Sequence, residues 1–511
     1  MDYILDKTST HNPMNKHLYL AFYLILLSLS TLPLWMVIHP PLQDYPNHLA
    51  RMHIILNGAT SPLSQYYTVS WALVPNLAMD IIVPILARLM PLAVAGKVFI
   101  VIIFFLLTSS SIALHYALYR SLSPVPLLSF LVLYNWAFYT GLLNFLFASG
   151  LAIWGFAIWI ALSKRSPRVR AAAGTLISLL LFFSHLYGLA VYALLVGSYE
   201  LLVPSRYLPE GAAAAQRYWK RSLLVISQFL LPALLFVIGP TSDMALNLHY
   251  SSFHEKLIHL TFLFDGYVPA FDIVNIIFFL AVLAIITIKR RPPLSIRMTF
   301  PIVILIAAYF ALPYQIWYTS HVDWRILIPL AFVVPAALRN PFHTLRPAIV
   351  IVVFIGLLLF ARVMIVNEHW SDGDAAYSEF ERATENVPKG SKVFGAAIGG
   401  RFSEMIFPTP ILHMLSFGVI EKDLFIPSLF ATKTQQPLAY KGNYENIRLH
   451  TIRIYYKDPG LVEWPYVSAY YDYVLMMSPR MDNRRVLKKR PLPWLSLESR
   501  AGRFALYRVL H

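Results

Sequence analysis

Apolar runs of about 20 residues recur along most of this chain, and in lipid a run of that length can satisfy its own backbone only as a helix. Eleven such runs stand at 18–38, 92–118, 124–141, 144–163, 171–186, 188–203, 222–240, 269–288, 298–316, 325–339 and 347–366. The stretch 171–203 is too long for one untilted helix and carries Ser184-His185-Leu186-Tyr187-Gly188 at its middle, so it divides there. Charge supports the division. With it, Lys164-Arg165, Arg168, Arg170, Arg206, Arg217, Lys220-Arg221, Lys289-Arg290-Arg291, Arg339 and Arg346 fall on the side of Lys7 and Lys16. Without it, the later basic loops change sides, against the tendency of Lys and Arg to stay cytoplasmic.

Composition agrees with a lipid-facing chain. Of 511 residues only 13% are charged and 58% are hydrophobic, whereas a soluble domain carries roughly a quarter of its residues as charged ones. The net charge of +16 is gathered in short clusters between apolar runs. That is the signature of loops at an anionic membrane surface, and it argues against nucleic acid as a partner. With no cysteine, disulfides, thiolate metal sites and cysteine nucleophiles are excluded. The first run is long for a signal-peptide core and meets His39-Pro40-Pro41, so it reads as an uncleaved first span. The expected architecture is a polytopic α-helical membrane module over 1–366 with about eleven spans, followed by a small extracytoplasmic α/β domain over 367–511. In that domain a helix is expected over 374–387 and strands over 392–396, 451–456, 473–477 and 504–509. The N-terminus is then cytoplasmic, and the membrane is a bacterial inner or plasma membrane.

The loop after the first run reads His39-Pro40-Pro41-Leu42-Gln43-Asp44-Tyr45-Pro46-Asn47-His48-Leu49-Ala50-Arg51. Pro46 suits a first helical turn, and Leu49, Met52 and Leu56 recur on one face until Gly58, which predicts an amphipathic helix along the membrane surface. Asp44 precedes its positive end, where the dipole favours an ionised carboxylate. His48 and Arg51 lie one and two turns on. Locally, Asp44 reads equally as a cap-region acid and Arg51 as a lipid-headgroup anchor.

This arrangement resembles the GT-C superfamily of membrane glycosyltransferases. The resemblance covers 18–366 in layout. It is carried by Asp44 in the first outer loop, by the surface helix within 75–90, by the short helices around His185, and by Asp323-Trp324-Arg325-Ile326-Leu327-Ile328-Pro329 at the entry to a late span. It implies a sugar donor linked to a polyprenyl phosphate, and a glycan, lipid or protein acceptor at the outer face, as in cell-envelope glycan assembly. It also implies Asp44 as the catalytic base of an inverting transfer, with Arg325, His48, Arg51 and His185 binding substrate. Many members carry two adjacent acids where this chain has Gln43-Asp44, so no cofactor is fixed and a divalent metal stays open.

Other signals are weaker. His254-Glu255-Lys256-Leu257-Ile258-His259 resembles a zinc-protease helix, but its histidines stand five apart and diverge by about 500° of rotation. Asn144 and Asn275 read as interhelical hydrogen-bond partners, and the Tyr66-Tyr67 pair as part of an interfacial aromatic belt. A transporter or flippase of lipid-linked glycans, and a non-catalytic membrane scaffold, remain the alternatives to a transferase. The topology generates a direct test, because the native chain offers no thiol. A Ser70→Cys variant is expected to react with an impermeant maleimide from outside, and Glu210→Cys only from inside. Labelling of Glu210→Cys from outside overturns the arrangement.

Overall fold

The structure is a computed structural model that describes residues 14–58, 60–202, 212–243, 246–290, 292–317, 319–398, 410–451, 455–456, 459–478 and 493–510. Lys7, Arg206 and Arg291, and part of the strand expected over 451–456, lie outside the described residues.

The apolar runs are mostly helical, although the run at 298–316 leaves its helix at Ala311 and ends in extended chain. The first ones are α1 (Lys16–Met36), then α2 (Tyr45–Asn57) and α3 (Ala78–Leu86) in the connecting loop, and α4 (Leu92–Tyr119). Residues 124–141 form a 3-10 stretch over Val125–Val132 and a short α5 (Trp136–Thr140). Pro124 and Pro126 lack the N–H that a regular helix needs there, and Asn135 restarts the helix by accepting from the N–H of Phe138 at 3.1 Å. Then come α6 (Leu143–Ala161), α7 (Pro167–Ser184) and α8 (Leu186–Leu201), with the expected break at His185 in extended conformation. Beyond them lie α9 (Ala212–Ser227), α10 (Leu230–Ile238), α11 (Phe253–His259), α12 (Pro269–Lys289), α13 (Ile296–Ala311), α14 (Val322–Arg325) and α15 (Leu327–Ala337). Among the described residues, six helices are long and apolar enough to cross a membrane, and a bent pair in α9 and α10 makes a seventh. The protein is an integral membrane protein.

Small residues let the helices approach. A Cβ on Gly150 of α6 would stand 3.0 Å from the backbone of Leu106 in α4, and one on Gly188 of α8 would meet Ala148 of α6. Close backbone contact of this kind replaces the hydrophobic driving force that helices lack within lipid.

Two helices expected separately are one. α16 (Leu345–Thr384) runs unbroken through the change in composition at Asn367. No proline interrupts 367–387, and Trp370 and Phe380 bury themselves along the polar half, so the helix continues to Thr384, shortly before Pro388. Arg362 ties its middle to the first turn of α12 through Asp272 at 2.5 Å. Near its other half lies a five-stranded sheet. β1 (Tyr67–Val69), β2 (Leu248–His249) and β3 (Gln315–Ile316) belong to loops; β4 (Val393–Ile398) starts the sheet. After it come α17 (Phe417–Lys422), β5 (Leu438–Tyr440), α18 (Asn443–Thr451), β6 (Tyr455–Tyr456), α19 (Trp464–Tyr470), β7 (Tyr473–Met477), β8 (Leu495–Ala501) and β9 (Phe504–Val509). The order is β6-β4-β7-β9-β8, with β4 parallel to both neighbours and β9 antiparallel to both of its own. β8 was not expected: Leu-Ser-Leu-Glu-Ser-Arg-Ala is a largely exposed edge strand with little apolar alternation.

The sheet region is stitched to the first loop. β1 pairs antiparallel with β5, placing Tyr67 opposite Tyr440. Asp374 of α16 accepts from the N–H of Ile38 at 3.0 Å, and His39 stacks on Phe417 of α17 at 4.3 Å. The loop carrying Asp44 is therefore roofed by the C-terminal region.

Candidate functional site

Asp44 stands at the entry to α2, and its backbone is fixed from α5. The N–H groups of Gln43 and Asp44 donate to the carbonyls of Tyr139 and Thr140, both at 3.0 Å. The turn that offers those carbonyls ends at Gly141, whose φ of +85° suits glycine. A Cβ there would also stand 3.1 Å from the Asp44 nitrogen. So the residue after Thr140 must be glycine for two reasons at once.

The Asp44 side chain does not cap α2: no backbone N–H of the first turn donates to it. This corrects the expectation of a carboxylate held ionised by the helix end. Its side chain keeps only 15% of its exposure, and that burial pushes the carboxyl up to about 7, against the opposing pull of Gln43, Arg325 and Arg51. Desolvation wins over two nearby guanidinium groups because neither makes a direct contact with the carboxylate among the hydrogen bonds described here.

Arg51, two turns on, is wholly buried and forms a two-pronged pair with Asp80 of α3, Nε to Oδ1 at 2.6 Å and Nη2 to Oδ2 at 3.1 Å. It is thus no headgroup anchor; it welds α2 to α3. Its Nη1 has no partner among the described residues. His48 lies between: its Nε2 is 3.2 Å from the carbonyl of Gly141, and its Nδ1 3.3 Å from Arg51 Nη2. That geometry makes Nε2–H the donor and Nδ1 the acceptor. Burial, then the Arg51 charge, hold this imidazole neutral, well below its ordinary value. Asn144 of α6 sets the start of α3, accepting from the N–H of Met79 at 2.7 Å and donating to the carbonyl of Asn76 at 2.8 Å. Asn275 instead donates back to Phe271 in its own helix.

Arg325 ends α14 and is buried to 5% exposure. Nη2 donates to the carbonyl of Ser320 at 3.0 Å, the guanidinium lies over Phe145 at 5.6 Å, and Nε has no partner among the described residues. His185 packs edge-on against the same Phe145 ring at 6.1 Å, its Nδ1 accepting from the N–H of Tyr187. Tyr187 in turn donates to the carbonyl of Val322 at 2.9 Å. The histidine motif of α11 serves this turn. Lys256 and His259 stand 3.4 and 3.8 Å from the fully buried Asp323, and Lys256 also donates to the carbonyls of Tyr309 and Leu312.

Asp44, His48, Arg51 and Arg325 therefore share one electrostatic neighbourhood, with His185 beside Arg325. Two further residues complete it. His413, from the turn before α17, points Nε2 at Asp44 Oδ1 from 3.5 Å, and Asn47 of α2 holds its other ring nitrogen at 3.1 Å. Sequence reasoning passed over Asp80, though a lone acid inside the apolar Ala78–Leu86 helix signals a buried cation partner. Nothing in the sequence marks His413. Among the described residues, no three His, Asp or Glu side chains gather as metal ligands.

No protein-family model matches the chain, and no curated protein matches it. Among solved structures it is similar to ArnT from Cupriavidus metallidurans bound to undecaprenyl phosphate, with a TM-score of 0.55 and 10% identity over 97% of this chain and 98% of that one. It is similar also to ArnT from the same organism in the apo state, with a TM-score of 0.54 and 9% identity over 96% and 97%. The likeness is one of fold across the whole chain.

The Arg51–Asp80 pair generates a prediction. Removing one member of a buried pair strands the other charge, at a cost of about 3–5 kcal/mol. Asp80→Ala should lower the thermal transition of the detergent-solubilised protein by several degrees, whereas the exposed substitution Leu89→Ala should not move it. An unchanged transition in Asp80→Ala contradicts the structural role.

Proposed function

Taking the fold as that of the GT-C membrane glycosyltransferases, we propose that the chain moves a sugar from a polyprenyl-phosphate carrier to an acceptor hydroxyl at the outer membrane face. The observation that carries this reading is the convergence of a buried acid, Asp44, and a buried guanidinium with an unused donor, Arg325, from loops far apart in sequence. The ArnT structure is bound to undecaprenyl phosphate, a polyprenyl phosphate, which is the chemistry such a guanidinium would grip. The basic clusters between helices support the eleven-span arrangement with the Asp44 loop and 367–511 outside.

In the proposed step Asp44 takes the acceptor's hydroxyl proton as its oxygen attacks the anomeric carbon. The bond from that carbon to the phosphate oxygen breaks, and the leaving polyprenyl phosphate keeps the electron pair, its charge met by Arg325. A single displacement inverts the anomeric centre and needs one carboxylate. A transporter would want ionisable groups lining a mid-membrane path. Here the buried pairs Arg170–Glu200 and Arg362–Asp272 are closed on each other, so the transferase is favoured.

Asp44 gives the first test. A base must be ionised, so transfer should fall about tenfold per pH unit below about 7. Asp44→Asn should lower kcat by about 10²–10⁴. Because the folded carboxyl binds its proton more tightly than the unfolded one, its contribution to stability is complete below the ordinary carboxylate range. It is lost as pH rises through about 7. The rise from 3.8 to about 7 is on the order of 4 kcal/mol against the ionised form. At pH 8, then, the Asn variant should be no less stable than the native protein. Native activity in Asp44→Asn would return the chain to the scaffold class.

Arg325 gives the second. If it grips phosphate with two prongs, Arg325→Lys should bind a polyprenyl phosphate at least tenfold more weakly, since an ammonium is a single point of charge. Equal affinity in the Lys variant with loss in Arg325→Ala would leave a charge role only. Equal affinity in both would remove Arg325 from the site.

A further inference from the structure

Asp44 has a neighbour from the C-terminal region, and the hydrogen bonds behind that neighbour decide which way its proton points. Asn47 Oδ1 accepts from the N–H of Phe430 at 2.6 Å, and Nδ2 donates to the carbonyl of Ser428 at 2.8 Å. A backbone donor on one side and a backbone acceptor on the other leave the amide a single orientation. The same Nδ2 faces His413 Nδ1 at 3.1 Å, so Nδ1 must be the acceptor. A neutral imidazole whose Nδ1 accepts carries its proton on Nε2, and Nε2 is the atom 3.5 Å from Asp44 Oδ1. His413 is held neutral, since burial lowers it to about 4. Phe430 closes over the ring edge-on at 5.2 Å, and also meets His48 at 5.7 Å.

We infer that His413 is a positioning residue for Asp44: Asn47 fixes its tautomer, and its Nε2–H orients and stabilises the carboxylate that the reaction requires. The inference deepens the transferase reading and rests on Asp44 being its base. At 3.5 Å the contact is longer than a formed hydrogen bond. Such contacts tighten when the reacting complex assembles, as catalytic hydrogen bonds commonly do. The 410–430 segment is then a wall of the site rather than a separate module. His413 is one of several groups around Asp44. Gln43 lies beside it in its own loop, Arg51 acts on it from α2 and Arg325 from α14, while His48 of α2 interacts with His413.

The experiment reads Asp44 itself in the purified full-length protein. Its carboxyl C=O band is identified by infrared difference spectroscopy as the one lost in Asp44→Asn, and is titrated in parallel with kcat and KM for a polyprenyl-phosphate sugar donor. Loss of a donor to the carboxylate makes it harder to ionise. His413→Phe, which keeps the ring volume, should raise the Asp44 midpoint by about one pH unit and lower kcat at pH 7 about fivefold, leaving donor KM unchanged. His413→Gln, which can present an N–H at the same place, should restore most of both. An unmoved midpoint in a folded Phe variant overturns the inference, as does a Gln variant equally impaired with raised KM. If the Phe variant does not fold, nitrogen NMR of histidine-labelled native protein decides. A protonated Nε2 on His413 is expected, and a protonated Nδ1 overturns the proposal. A shifted midpoint in a protein with no transfer activity would sink the transferase reading alone.

Discussion

The Arg51–Asp80 pair holds the two loop helices together, and the site hangs from it. Two charges with no exposed surface would be costly apart, but bidentate geometry returns much of that desolvation. Because the pair lies between α2 and α3, the surface helices behave as one plate. Asn144 pins that plate to α6 through the start of α3, and the Thr140–Gly141 turn pins its other edge at Asp44. Asn47 hooks it to the C-terminal region. The loop becomes a rigid support, which is what the proposed role of Asp44 as a base would need.

Rigidity also explains the electrostatics. Asp44 is largely shielded from water by the surrounding protein, so its ionised form is disfavoured even with Arg325 and Arg51 nearby. Both guanidiniums keep one nitrogen without a partner among the described residues. A buried donor left unsatisfied is costly, and an anionic ligand entering beside Asp44 would relieve it.

The helices were legible because lipid leaves the backbone few choices: long apolar runs must be helical, and basic residues mark their ends. The break at His185 follows from the length of the run together with the sidedness of the basic clusters, and the structure has it there. α16 was misread as two helices because composition changes at Asn367 while backbone propensity does not, and only the latter ends a helix. At the candidate site, Asp44 and Arg325 stand out only through the resemblance of their loops to those of GT-C members, since locally each reads equally well as a cap-region acid or a surface anchor. Arg51 was named for its charge, yet its environment is set by Asp80, a contact invisible to a local reading. His413 lay beyond reach altogether. It meets Asn47 across a sequence separation of 366 residues, in a segment with no periodic signal. The strand β8 was missed for a related reason, since an exposed edge needs no apolar alternation.

Asp44 and Arg325 are proposed to face one anionic ligand across a shared site. A cryo-electron microscopy structure of the protein with a polyprenyl phosphate added tests it most directly. Phosphate density is expected within hydrogen-bond distance of the Arg325 guanidinium, with Asp44 on the side from which an acceptor would approach. Phosphate density elsewhere, with Arg325 still turned to Ser320 and no ligand beside Asp44, would contradict it.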